Sequence, residues 1–144
     1  MESLRYVVDY GVIGLLVLMS VVAVAVAIER KLVYRKIRIE EYRDKKKLEL
    51  VLTKRLYLIA TVGSNAPYVG LLGTVIGIML TFATIGKKGL VDTGDIMTGL
   101  ALALKATAIG LTVAIPAIIF YNFLLRAVEE LLLQWEIENG TEKI

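Results

Sequence analysis

Tyr10 to Ile28 reads YGVIGLLVLMSVVAVAVAI, a run without one charged residue, and it decides what kind of protein this is. A helix needs about 20 mostly apolar residues to cross the hydrocarbon of a bilayer. The run meets that length, so a first membrane span is predicted at about 10–28. Residues Met1 to Tyr10 lack the basic start and small-residue cleavage site of a signal peptide, and the run is therefore expected to stay as an anchor. With 57% of its 144 residues hydrophobic, the chain lies outside the usual range of soluble domains, and one membrane domain over 1–144 is expected. The predicted fold class is all-α: an integral membrane protein of three transmembrane helices with cytoplasmic helical extensions.

Beyond the first span, charge arrives all at once. Arg30, Lys31, Arg35, Lys36, Arg38, Arg43, Lys45, Lys46, Lys47, Lys54 and Arg55 put eleven of the 17 basic residues into one connector, 29–60. Such a cluster is first a topology signal, because Lys and Arg are retained on the cytoplasmic side. With three spans it makes the connector cytoplasmic and the amino terminus outside, and it offers no case for a nucleic-acid partner. Apolar residues recur at helical spacing within it, Ile28, Leu32, Ile39 and Tyr42, then Leu48, Leu52, Leu56 and Ile59. That pattern predicts two helices extending the spans. A solvated charged loop or a lipid-headgroup patch is the alternative.

The second span is predicted at about 64–86 and the third at about 97–125, with a short outside loop between Gly86 and Asp95 and a cytoplasmic tail, 126–144. Pro67 either begins the second membrane helix, with Asn65 as a cap, or sits inside a helix arriving from the cytoplasm. Pro116 interrupts the third span, where a kink is expected. Lys105 divides the third run unevenly. A cation at mid-bilayer costs roughly 3 kcal/mol on insertion scales, so Lys105 either snorkels to the outer interface or meets an opposite charge.

Cysteine and histidine are absent, which removes thiolate and imidazole chemistry and the commonest metal ligands. No metal site, no cofactor and no enzymatic activity are expected. The polar residues left in the spans form two stripes. Gly70, Thr74, Gly77 and Thr81 share one face of the second helix, and Ala103, Thr107, Gly110 and Ala114 repeat that spacing on the third. Either the small residues only pack the helices, with Gly73 and Gly77 as a literal GxxxG, or both stripes face a common interior where Thr74, Thr81 and Thr107 hold water or a partner's polar group. Lys105 lies about 200° from Thr107 around the helix, so the two face different surroundings. No Asp or Glu occurs in any of the three spans, and a proton path would need a carboxylate from another chain.

Asn65-Ala66-Pro67-Tyr68-Val69-Gly70-Leu71-Leu72-Gly73-Thr74-Val75-Ile76-Gly77-Ile78-Met79 resembles the second-span signature of the ExbB, TolQ and MotA family of proton-channel subunits. Ala106-Thr107-Ala108-Ile109-Gly110-Leu111, then Ala114-Ile115-Pro116-Ala117 and Tyr121-Asn122, resembles its third-span signature, most like ExbB and TolQ. The resemblance implies a pentameric homo-oligomer in the cell inner membrane. It implies an ExbD- or TolR-like single-span partner whose membrane aspartate supplies the missing carboxylate, and a TonB- or TolA-like protein that receives the force. It implies that Thr74 and Thr107 line the pore. Two departures stand out: many relatives carry a glutamate where this chain has Leu102, and Lys105 is unusual beside the pattern. A MotA-like flagellar stator fits less well, because that subfamily usually has an additional span and a larger cytoplasmic portion.

Overall fold

The computed structural model describes residues 2–90 and 92–140. Residues 141–144, the end of the expected tail, and Val91 in the expected loop lie outside the described residues. Three long helices carry the architecture: α1 (Glu2–Lys36), α3 (Leu56–Lys88) and α4 (Thr93–Asn139). A 3-10 turn, Ile39–Glu41, and a short helix, α2 (Lys45–Leu52), fill the connector. Each long helix is long and apolar enough to cross a membrane. Among the described residues no strand is present.

The helices outrun the expected spans. Helix α1 continues to Lys36, and α3 starts at Leu56 and passes through Pro67. Of the two readings of Pro67, the interior one holds. Its missing amide hydrogen leaves one carbonyl of the preceding turn unpaired, which a long helix packed against two others tolerates. Helix α4 passes Pro116 in the same way. Local chemistry sets the breaks between elements. Asp44 caps α2 by accepting from the Lys46 amide at 3.0 Å. Arg55, at φ 66, makes the left-handed turn into α3, a conformation that costs about 1–2 kcal/mol outside glycine. Gly89 ends α3 at φ 75.

The bundle packs differently along its length. At the connector end a cluster of large side chains is buried, including Leu48, Leu52, Leu56, Ile59, Leu124, Val128 and Trp135. This end carries the chain's densest charge, and in water burial of apolar area would drive such packing. Between the spans the buried residues are mostly small: Gly63, Ala66, Gly70, Gly73 and Gly77 on α3, and Ala103, Ala106, Gly110, Ala114 and Ala117 on α4. In lipid no apolar driving force operates between helices, and close backbone approach takes its place.

The two stripes expected in the connector part ways. Leu48, Leu52, Leu56 and Ile59 are all buried, whereas Ile28 and Leu32 are exposed, at 57% and 49%. Arg30 occupies the inward position instead, at 4% exposure. The apolar pair near the end of α1 faces outward.

Candidate functional site

Helices α3 and α4 form the most extensive contact of the molecule, and α1 packs across both. Their seam is built on missing side chains. A Cβ on Gly70 would stand 2.5 Å from the Ala106 carbonyl oxygen, and one on Gly110 would stand 2.6 Å from that of Ala66. Gly77 abuts Ala103, and Gly73 abuts Ala106 and Val12 of α1.

This closeness brings two hydroxyls together. Thr74 and Thr107 are in direct hydroxyl contact, and Thr74 Oγ1 also lies 2.8 Å from the Ala103 carbonyl and 3.3 Å from that of Gly70. Thr74 is buried and Thr107 half-buried. Thr81, two turns along α3, donates to the Gly77 carbonyl at 2.9 Å. Thr74 and Thr107 therefore satisfy each other and the backbone, a pair that can be repolarised without a charged group, while Thr81 bonds the backbone of its own helix and touches neither.

Lys105 is set apart from these. It lines a groove between α1 and α4, with Arg5, Tyr6, Asp9 and Leu102 among its neighbours. Thr107 lies on the side of α4 turned away from that groove, by the angular separation of the two residues. Leu102 belongs to the groove and not to the threonine pair.

Two arginines that tie helices together drew no separate reading from the sequence. Arg5, on the first turns of α1, donates through Nη2 to Thr81 Oγ1 at 2.8 Å and to the Gly99 carbonyl at 3.2 Å. Its signal was a lone cation one turn before Asp9, at the start of an apolar run. Arg30, at the other end of α1, donates to the Val51 carbonyl at 2.8 Å and to Glu29 at 3.0 Å. Glu29 also pairs with Arg55. The Arg55 and Arg30 guanidiniums hold the Glu29 carboxyl below the usual carboxylate range. Arg30 was hidden among ten other cations, and only the adjacent Glu29 sets it apart. Farther along the connector, Trp135 donates to the Tyr42 carbonyl at 2.8 Å and Lys45 pairs with Glu136, tying α4 to the segment around α2.

Comparison with known proteins adds the wider setting. The chain is 61% identical over 140 residues to the biopolymer transport protein ExbB of Aquifex aeolicus, covering 97% of this chain and 95% of that protein. It is 57% identical over 134 residues to a putative biopolymer transport protein, ExbB-like 2, of Helicobacter pylori, covering 93% and 89%. A Tol-Pal system protein TolQ of Pseudomonas aeruginosa is 47% identical over 90 residues, covering 62% of this chain and 37% of that one. The family model for the MotA/TolQ/ExbB proton channel family matches residues 21–137, a stretch that holds α3, most of α4 and both threonines of the seam. With that match and relatives of such identity along nearly its whole length, the chain belongs to the MotA/TolQ/ExbB proton channel family.

Proposed function

We propose that this chain is the ring-forming, ExbB-type subunit of an inner-membrane motor that uses the proton motive force to energise transport across the outer membrane. The observation that carries this reading is the Thr74–Thr107 contact, set in a membrane seam on the face of α4 opposite Lys105. In a ring that face turns inward, and five such pairs surround the axis. The spans hold no carboxylate of their own, so the proton is carried by the membrane aspartate of an ExbD- or TolR-like single-span partner. The hydroxyl pairs receive and reorient that carboxylate as it changes charge. Force passes to a TonB- or TolA-like protein. The chain acts as a channel subunit and not as an enzyme.

The loop joining α3 to α4 is periplasmic on this reading, as is the amino terminus, and the connector and the end of α4 are cytoplasmic. The Lys and Arg of the connector support that orientation. Lys105 then lies toward the periplasmic interface, where its side chain leans toward the amino-terminal end of α4 and reaches headgroups or a partner's charge. Thr81 continues the hydroxyl line outward from the pair.

The experiment is a Thr74→Val, Thr107→Val double variant, which keeps shape and removes both hydroxyls. Co-expressed with an ExbD-type partner in liposomes, it is expected to lose proton flux by roughly tenfold or more, the equivalent of 1.4 kcal/mol in barrier, while its ring stays assembled. Full flux in an assembled ring sinks the pathway.

Two other readings rest on specific observations. The TolQ likeness supports a Tol-type role in envelope integrity, which complementation of strains lacking one system or the other separates. The glycine contacts of the seam support a non-conducting scaffold. Gly73→Leu would then break assembly while the valine variant kept every activity.

A further inference from the structure

Helices α1 and α4 run in the same direction, joined near their beginnings by the Arg5–Gly99 bond. Toward the connector they part around a groove of about 730 Å³, a size that takes a small ligand. The α1 wall carries Val24, Ile28, Lys31 and Arg35, at steps of four, three and four along one helix face. The α4 wall runs from Phe120 through Phe123 and Ala127 to Gln134. Both walls begin apolar and end polar, in the same direction. Phe120 to Gln134 covers roughly 21 Å at 1.5 Å per residue, about the depth of one leaflet with its headgroup layer.

The polar mouth is out of balance. Glu130, the carboxylate on that mouth, is taken by Arg126 at 3.3 Å. Lys31 and Arg35 are exposed, and among the described residues neither forms an ion pair. Two cations without counter-charges therefore stand above an apolar floor on which Phe123 is 72% exposed. A neighbouring copy is a poor match for that mouth. Copies in a ring stand at one height, and the carboxylates near this level, Glu29, Glu129 and Glu130, are already held by arginines. A soluble anion gains nothing from the floor, and a zwitterionic lipid brings an ammonium group against the two cations.

We propose that this groove binds an anionic phospholipid of the cytoplasmic leaflet. One acyl chain lies along Val24, Ile28, Phe120 and Phe123, and the phosphate rests on Lys31 and Arg35. The guanidinium fork of Arg35 fits phosphate oxygens in pairs, and Lys31 adds a point charge. Basic pockets between membrane helices on the cytoplasmic side favour anionic headgroups for the same reason. The proposal rests on the membrane orientation given above and not on proton conduction.

The test reads lipid at the groove itself. The chain has one tryptophan, so a Trp135→Phe, Phe123→Trp background moves the only indole to the groove wall, where brominated acyl chains quench its fluorescence in vesicles. Brominated phosphatidylglycerol is expected to reach half-quenching at a mole fraction roughly fivefold or more below that of brominated phosphatidylcholine, since each basic residue near a surface is worth about fivefold. Lys31→Gln with Arg35→Gln is expected to abolish that preference. Lys46→Gln with Lys47→Gln, which removes as much charge from α2, is expected to keep it. If the Lys31, Arg35 pair does not insert, either substitution alone serves, with a partial loss. Equal quenching by the two lipids, or an equal loss in both charge pairs, overturns the site. Absence of quenching by either lipid in protein that floats with the vesicles shows the groove covered by a second copy and overturns it too. Protein that does not float overturns the membrane reading and the site with it. No outcome turns on proton flux, so failure of the channel reading is told apart.

Discussion

Gly70 and Gly110 meet across the seam with backbone against backbone, and that contact is the least forgiving spot in the molecule. Neither opposing carbonyl can move aside as a flexible side chain would. Gly70→Ala or Gly110→Ala is expected to destabilise the bundle by about 1–3 kcal/mol through overpacking. Gly14→Ala on α1 meets nothing within 4 Å and is expected to be neutral or slightly stabilising, since alanine favours helix over glycine by about 1 kcal/mol. Thermal unfolding of the three variants in one detergent checks the contrast; equal midpoints would show that the seam has room. The spacing of the stripes was readable in the sequence because a helix has one period. The partnership of Thr81 with Arg5 was not, because it joins residues far apart in the chain through a gap that only Gly99 leaves.

At the scale of elements, the connector end is held by a few polar ties laid over a large-residue core. Trp135→Phe keeps the ring in that core and removes the bond to Tyr42, and a loss of about 1 kcal/mol is expected. The tie of α1 to the turn before α3 depends on pH. The Glu29 carboxyl is held below its ordinary range by Arg55 and Arg30, so its contribution is present above the ordinary carboxylate pKa and is lost as the pH falls through the lowered value. Glu29→Gln is therefore expected to lower the thermal midpoint at pH 7, and the gap from the native chain should close in acid. A gap that does not change with pH would remove the ion pair from the account. Sequence patterning marked Leu48, Leu52, Leu56 and Ile59 as one inward face, and they are buried. It left open that Ile28 and Leu32 face outward, because periodicity shows which residues share a face but not whether lipid or protein covers it.

Taken whole, the molecule leaves a broad apolar surface open, with Leu18, Val21, Leu72, Met79, Phe82 and Phe123 all more than half exposed. A lone chain in water could not keep such a surface, and lipid and neighbouring copies are the two covers available to it. Native mass spectrometry in detergent, with and without the aspartate-bearing partner, is expected to give one ring size that takes up the partner; a monomer or dimer that ignores it would favour the scaffold. Helix α4 bears on how such a ring could work. Its 47 residues form one unbroken rod, roughly 70 Å long at 1.5 Å per residue, more than twice the hydrocarbon depth of about 30 Å. Pro116 is the place along it where the backbone ladder lacks a rung. From there to Trp135 is roughly 28 Å, so a tilt of about 5° at that fulcrum swings the far tip by about 2.5 Å. The threonines thus lie only roughly 14 Å from that fulcrum and the far tip roughly 35 Å beyond it, so a small change of charge at the one has the mechanical means to be felt, enlarged, at the other.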